Sequence, residues 1–551
     1  MRRTAAVVAS LAVGLAGLAG IAAPPTATAA PARNPVQQAR DYTPPPLQWG
    51  ECANETLKAV GSECADLVVP LDYDHPRERK ITLAVSRLVH TSSEADYQGP
   101  LLLNPGGPGG SGLILSVYGS PLVDALPGDV EQTYDWVGFD PRGVGSSRPA
   151  LSCRADYVGY DRPNYVPRTR TIGRYWLRKS RRYARSCASS PARRLLRHLK
   201  TTDTVADMES MRKALGASKI NFYGFSYGTT LGQTYATLHP RRVRRLVMDG
   251  VVDPSRTPYR SNLDQDVAFN KNIQVYFGWL ARYDELFGLG TTRRQVSRGF
   301  YRELRKLDRS PAGGVIGPDE LTDVMIRAGY TVNSWVEIGQ AYAALVNQGD
   351  ATGIKDLFDH AHPQNTPGSD NGHAVYLATQ CTDAPWPKSL RRVLRDNWYY
   401  HSFAPFLTWS NAWFNGPCNF WPAKPAKRFR VSGAGLGQHR ILLVSETLDA
   451  ATPFSGALEA RRRFRGARLI EGVGGTTHSG SLSGVACTGN AIAAYLTDGT
   501  VPRRLPGKRS DLRCPPVPQP DPTAAEARKG SADDNALRER LRAALEQAQQ
   551  R

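Results

Sequence analysis

The sequence predicts an α/β protein: a mostly parallel central sheet covered by helices, with a large helical cap inserted between late strands. Three observations lead there. Strand-like and helix-like segments alternate from about residue 80 to 255, as in a sheet assembled from crossover units. A Gly-x-Ser-x-Gly run falls where an apolar strand-like stretch meets a helix-like one. Strand signals stop after residue 255 and resume near 440.

In chain order, residues 80–90 read as a strand and 100–104 (Pro-Leu-Leu-Leu-Asn) as a short buried one. Residues 134–139, 219–223 and 245–248 follow as strands, with helices over 204–215 and 227–238. Residues 256–430 carry helical periodicity and seven of the ten tryptophans: Trp279, Trp335, Trp386, Trp398, Trp409, Trp413 and Trp421. These rings either wall a pocket or fill the insertion's own core. Strands return at 440–444 and 467–470, followed by a helix near 489–496. The resulting division is 45–255 core, 256–430 cap, 431–514 core, and 515–551 a Pro-rich then charged tail that reads as a solvated helix or a disordered end.

With 551 residues, 41% of them hydrophobic and 22% charged, the chain has material for a sizeable core. Arg2 and Arg3 precede an apolar run from Ala5 to Ala23, and Ala27-Thr-Ala29 offers small residues for cleavage. That layout predicts a signal peptide over 1–30 and a linker or propeptide over 31–44. A retained anchor is the alternative; otherwise no membrane partner is expected after cleavage, and the protein is expected to be secreted, with cell-envelope association open to it. The eight cysteines, Cys52, Cys64, Cys153, Cys187, Cys381, Cys418, Cys487 and Cys514, include no Cys-x-x-Cys pair. In an exported chain they are expected as disulfides, paired sequentially. The charge of +20 is concentrated: residues 154–200 hold 14 Lys and Arg against Asp156 and Asp161. Arg174, Arg178, Lys179, Arg181, Arg182 and Arg185 read as the solvated basic face of a helix. No nucleic-acid-binding motif accompanies them, so no nucleic acid is expected as partner.

The chemistry is carried by Gly224-Phe-Ser226-Tyr-Gly228. This is the pattern of a nucleophile elbow, a sharp strand-to-helix turn that exposes Ser226, and it assigns the chain to the α/β-hydrolase fold. A serine hydroxyl needs a base to take its proton. In this fold the acid and then the histidine follow the serine along the chain. Asp449, just after the 440–444 strand, is the expected acid. Asp253, after the 245–248 strand, is its rival and reads better as a turn residue before Pro254. His478, in a loop after Gly472-Val-Gly-Gly-Thr-Thr477, is the expected base. The oxyanion donors are expected to be the backbone N–H of Tyr227 and that of Gly107, in Asn104-Pro-Gly-Gly-Pro-Gly-Gly-Ser-Gly112. That run lacks the Gly-Lys-[Ser/Thr] ending of a phosphate loop.

The chain resembles secreted bacterial tripeptidyl aminopeptidases, related to prolyl aminopeptidases. The likeness rests on the glycine loop, the elbow, Asp140-Pro-Arg-Gly-Val-Gly145 and Asp449-Ala-Ala-Thr-Pro453. Asn262-Leu-Asp-Gln-Asp-Val-Ala-Phe269, Cys381-Thr-Asp383 and Trp421-Pro422 add to it. It spans roughly residues 45–514. It implies a serine exopeptidase acting on peptides or proteins with a free N-terminus and releasing short peptides, commonly tripeptides. A carboxylate at the end of the cleft would pair with the substrate ammonium and limit depth. Asp264, Asp266 and Asp383 are the candidates, each with helix capping or surface charge as the ordinary alternative. A carboxylesterase or lipase could use the same triad, and a non-catalytic secreted binding protein could keep the fold alone. No cofactor is implied, and no metal: His360 and His362 lack a clear third ligand.

Overall fold

One sheet organises the chain. In the computed structural model its strands are β1 (Gly50–Glu51), β2 (Glu63–Pro70), β3 (Lys80–Leu88), β4 (Pro100–Asn104), β5 (Asp135–Phe139), β6 (Ile220–Phe225), β7 (Val243–Asp249), β8 (Ile441–Glu446), β9 (Arg468–Gly472) and β10 (Leu512–Cys514). Their spatial order is β1-β2-β3-β5-β4-β6-β7-β8-β9-β10. Pairing is antiparallel from β1 to β5 and parallel from β5 onward. The structure describes residues 42–363, 366–524, 537, 540, 541 and 543–545. The expected signal peptide, and residues 31–41 of the expected linker, lie outside the described residues. Among the described residues no helix is long and apolar enough to cross a membrane.

Strands β4, β6 and β8 are buried along their whole length. They are therefore near-continuous apolar runs rather than alternating ones, with polar residues such as Asn104 and Glu446 at their ends, since helices cover both faces. The strands read from sequence are present with ends shifted by a few residues. Upstream of residue 80 the structure adds β1 and β2, and at the far edge β10. Polar residues hide them: β2 opens with Glu63 and carries Asp66, and β10 is three residues with Arg513 at its centre.

Three helices serve the first part of the sheet: α1 (Arg170–Ser189), α2 (Thr201–Ala214) and α3 (Gly228–Leu238). In α1 the faces separate cleanly. Trp176, Ser180, Tyr183 and Cys187 are buried while Arg174, Arg178, Arg181, Arg182 and Arg185 are exposed. Lys179 departs from the expected solvated face: its ammonium lies 5.5 Å from the Tyr157 ring, and burial pulls its pKa down to about 8.

Between β7 and β8, which are sheet neighbours, the chain makes the cap. Its main helices are α4 (Pro258–Arg282), α5 (Arg293–Leu307), α6 (Pro318–Arg327), α7 (Trp335–Gln348), α8 (Thr352–Ala361), α9 (Asn371–Asp383), α10 (Leu390–His401) and α11 (Thr408–Phe414). Trp279 and Trp335 are buried in one aromatic cluster of the cap. Trp413 stacks between Trp409 and Trp176 of α1 in another. These four fill the interior, the second of the two roles open to them.

The cysteines pair sequentially: Cys52–Cys64, Cys153–Cys187, Cys381–Cys418 and Cys487–Cys514. The sequence predicts the tail as a solvated helix or a disordered end; its described residues beyond 536 are helical but not wholly solvated. Its described residues 540–541 and 543–545 are helical, and Leu541 and Leu545 are buried against the sheet. Two apolar side chains four residues apart share one helix face, which suffices to dock it.

The Asp140-Pro-Arg-Gly run holds two junctions together. Asp140 accepts hydrogen bonds from Ser111 Oγ (2.5 Å) and the N–H groups of Gly112 (3.1 Å), Leu113 (3.2 Å) and Ser146 (2.7 Å), which fixes the glycine loop. Arg142, buried with its partner, makes a two-pronged pair with Asp207 of α2 at 2.6 and 2.7 Å. It also donates to the carbonyls of Pro70, Leu71 and His198. Asp207→Ala would leave that guanidinium buried and unpaired. The expected loss is about 3–5 kcal/mol, read as a drop in the urea midpoint at unchanged slope.

Candidate active site

At the end of β6 the backbone turns sharply. Ser226 has φ of 55°, a left-handed conformation that is strained for a residue with a side chain. Close approach explains the flanking glycine: a Cβ on Gly224 would fall 2.5 Å from the Phe222 ring and 2.7 Å from the Gly228 carbonyl. The Ser226 N–H donates to the Asp249 carbonyl at the end of β7 (2.8 Å), and the Ser226 carbonyl accepts from the Thr229 N–H (2.9 Å) and hydroxyl (2.7 Å).

The expected acid and base arrive on neighbouring strand ends. Asp449 follows β8 by three residues and His478 follows β9 by six. Both are buried, and His478 Nδ1–H donates to the Asp449 carboxylate at 2.8 and 3.0 Å. Thr452, not singled out from sequence, donates its hydroxyl and N–H to Asp449 at 2.8 and 2.9 Å, so the carboxylate is held on both oxygens. Burial disfavours the imidazolium. Asp449, by charge and hydrogen bond, and Asp249 by charge outweigh this and lift the His478 pKa above its ordinary 6.5. The other ring nitrogen, Nε2, is buried with no hydrogen-bond partner among the described residues.

Ser226 and His478 both adjoin the corner at the end of β7. Ser226 hydrogen-bonds Asp249, and the next residue, Gly250, touches the imidazole: a Cβ there would lie 2.8 Å from His478 Cε1 and 3.0 Å from Nδ1. In this state the Ser226 hydroxyl does not bond Nε2. Such contacts commonly tighten only once substrate binds. Asp253 is not at the imidazole. Its carboxylate accepts the Ser255 N–H at 2.6 Å and lies 3.8 Å from Arg256, a turn residue's work.

The glycine loop after β4 comes beside the elbow. Gly106, at φ of +98°, has the Tyr227 nitrogen and Ser226 Cβ each 2.8 Å from where its own Cβ would be. A side chain there would cover the Tyr227 N–H. Gly107, Ser226 and Tyr227 all line a cavity of about 780 Å³ between sheet and cap, and so does Thr452, while Asp449 and His478 are not among its lining residues.

The three carboxylates read as possible ammonium anchors part company. Asp264 lines the cavity but is paired with Arg256 at 2.8 Å. Asp266 does not reach it. Two positions along α4 point to opposite sides of a helix, and Asp266 is buried at a separate cavity of about 20 Å³, accepting from Asn411 at 2.9 Å. Asp383, at the end of α9, lines the large cavity and accepts from the Thr201 N–H (2.7 Å) and hydroxyl (2.5 Å). Burial pushes its carboxyl up to about 6 against those two bonds. The Thr201 hydroxyl also meets the Tyr227 phenol at 2.6 Å. Gln380, one turn before Asp383, lines the cavity too, and its Oε1 has no partner among the described residues. Sequence reading missed it; its place three residues before Asp383 on one helix was the available signal.

An NMR titration of the His478 ring checks the electrostatics. The midpoint is expected above 6.5 and lower in Asp449→Asn; an unmoved midpoint in the variant would overturn the assignment of its cause.

Sequence comparison agrees with this geometry. The profile of the alpha/beta hydrolase fold family matches residues 99–313, and that of TAP-like proteins matches 404–514. A tripeptidyl aminopeptidase of Streptomyces lividans is 37% identical over 482 residues, covering 86% of this chain and 88% of that one. Serine protease Hip1 of Mycobacterium tuberculosis is 30% identical, covering 83% and 90%. Carboxylesterase B of the same organism is 30% identical, covering 86% and 90%. By its sheet order, its cap and these relatives, the chain is a serine hydrolase that belongs to the tripeptidyl aminopeptidase family of α/β hydrolases.

Proposed function

We propose that this enzyme is an exported serine exopeptidase that releases tripeptides from free N-termini through an acyl-enzyme. One observation carries the reading: the strained Ser226 and the buried Asp449–His478 pair share a corner beside a cavity lined by a half-buried carboxylate, Asp383. Ser226 Oγ attacks the scissile carbonyl as His478 Nε2 takes its proton. The N–H groups of Tyr227 and Gly107 receive the developing oxyanion. His478 then protonates the leaving amine, and a water repeats the sequence on the ester to regenerate Ser226. Asp449 holds the imidazole with Nε2 directed away from it and stabilises the imidazolium. Four disulfides support an oxidising destination.

Asp383 is the carboxylate that suits a substrate ammonium. Asp264 is already neutralised by Arg256, and the cation whose charge Asp383 feels, Lys200, is paired with Asp203 at 3.0 Å. An extended tripeptidyl unit spans at most about 10–11 Å. The Tyr227 phenol and the Thr201 hydroxyl link the residue after Ser226 to Asp383 by two hydrogen bonds of 2.6 and 2.5 Å. Gln380 Oε1 stands along the same wall for a substrate N–H.

Mass spectrometry of products from an unblocked peptide should show losses in steps of three residues; release of single residues or internal cleavage would sink the tripeptide assignment. Asp383→Asn is expected to raise KM for a free tripeptidyl amide about tenfold or more and to leave an N-blocked substrate unaffected. In the wild type the same KM should rise as pH falls through about 6, where Asp383 loses its charge. Equal effects on free and blocked substrates would remove Asp383 from the role. The likeness to a carboxylesterase keeps ester hydrolysis as a second reading, which faster turnover of simple acyl esters than of tripeptidyl amides would favour.

A further inference from the structure

The loop that carries His478 is suspended from four parts of the chain. Its Val473 N–H donates to the Cys514 carbonyl of β10 (3.0 Å), and the His478 N–H to the Tyr330 carbonyl of the cap (2.7 Å). Asn272 of α4 donates to the Thr476 carbonyl (3.0 Å). The fourth tie is Glu446, at the end of β8. Its Oε2 accepts the Thr477 N–H at 2.5 Å, and its Oε1 accepts the Val517 N–H at 2.7 Å. A Cβ on Gly475 would lie 2.3 Å from the Glu446 carboxyl carbon, so the carboxylate is boxed against the loop it holds.

Val517 belongs to the Pro-rich run after β10, beyond the end of the TAP-like match at residue 514. This run is fastened along its length. The Val517 side chain is buried with cap residues such as Phe269, and lies so near Gly480 that a Cβ there would sit 2.8 Å from it. Arg282 donates to the Gln519 side chain (2.5 Å) and Trp279 Nε1 to the Pro520 carbonyl (2.9 Å), both from the last turn of α4. Cys514, at its start, is fixed by the bond to Cys487. The run therefore crosses from sheet to cap over the histidine loop. Prolines at 515, 516, 518 and 520 suit it to this, since an extended Pro-rich segment has little freedom to lose on docking.

We propose that residues 515–520 are a strap that positions His478 through Glu446, so that Glu446 and Val517 are positioning residues of the reaction. Val517 N–H, Glu446 carboxylate and Thr477 N–H form one relay ending beside the imidazole. Each oxygen has its own donor. Burial drives the Glu446 carboxyl up to about 8, and the Val517 and Thr477 N–H groups are the bonds that hold it down. Losing the Val517 donor frees one oxygen of a buried group and with it the orientation of the other. The inference rests on His478 acting as general base.

Three alterations test it: Val517→Pro, which deletes the N–H within a run of prolines; Glu446→Gln, whose NH2 must face one of the two N–H groups; and truncation after Cys514 set against truncation after Ala524. Each is compared with wild type and His478→Ala for kcat and KM on a tripeptidyl amide, rate of Ser226 labelling by a phosphonofluoridate, and thermal midpoint. Because small misplacements of a catalytic group cost up to about a hundredfold, Val517→Pro, Glu446→Gln and the shorter truncate should lose at least about tenfold in kcat and labelling rate. KM should hold, and the loss should persist well below each variant's thermal midpoint. The chain ending at Ala524 should keep its kcat. Wild-type kcat in Val517→Pro or in the shorter truncate overturns the strap, as does a loss explained entirely by unfolding. An active His478→Ala would instead overturn the reading of the base.

Discussion

Ser226 occupies a backbone conformation that costs on the order of 1–3 kcal/mol, and much of the surrounding structure serves to hold it there. The Asp249 carbonyl captures its N–H, and Thr229 captures its carbonyl twice. Thr229 Oγ1 in turn accepts the Val252 N–H at 3.0 Å, tying the first turn of α3 to the chain leaving β7. Elbow, helix and neighbouring strand thus form one unit, and the corner at Asp249 and Gly250 is where the imidazole packs. A side chain at Gly224 or Gly250 would collide with this arrangement rather than merely loosen it.

Around the imidazole the protein has buried three carboxylates with no arginine or lysine paired to any of them among the described residues. Asp449 contacts it. Asp249 and Glu446, pushed up to about 6 and about 8 by burial, do not. Each is satisfied instead by backbone N–H groups: Ser481 for Asp249 (2.8 Å), Thr477 and Val517 for Glu446. These acids act as fixed hydrogen-bond acceptors that shape the histidine loop from either side. The cap shares in this through Asn272 and Tyr330, so it is part of the scaffold of the site as well as a wall of its cavity.

The division of labour among the cap's polar residues follows helix geometry. Asp264 and Asp266 lie on one helix and look alike in the sequence, yet one meets Arg256 in the cavity and the other is sealed against Asn411. Asp383 ends its helix where Thr201 opens another, and the shared hydroxyl links both to the residue after the nucleophile. Trp279, Trp335, Trp409 and Trp413 took the interior, Trp398 is exposed, and no tryptophan lines the large cavity.

The sequence by itself determined the fold class, the elbow, and the strand ends on which Asp449 and His478 fall; the sequential pairing of the cysteines was one connectivity among many until the structure showed it. The first three are set by local rules: an apolar run buried on both faces, glycines where backbone approaches backbone, and short loops after successive strands. Strands β1, β2 and β10, at or next to the sheet's edges, escaped because β1 and β10 are only two and three residues long and β2 is half-solvated with Asp66 in its middle. The tail escaped because two leucines in a charged run become a docking face only when something is there to cover them. Which of the three aspartates face the cavity, and that Glu446 ties the histidine loop to a segment 71 residues away, were decided by the tertiary structure alone. Contacts between residues so far apart along the chain exist only after the sheet has brought its strand ends to one edge.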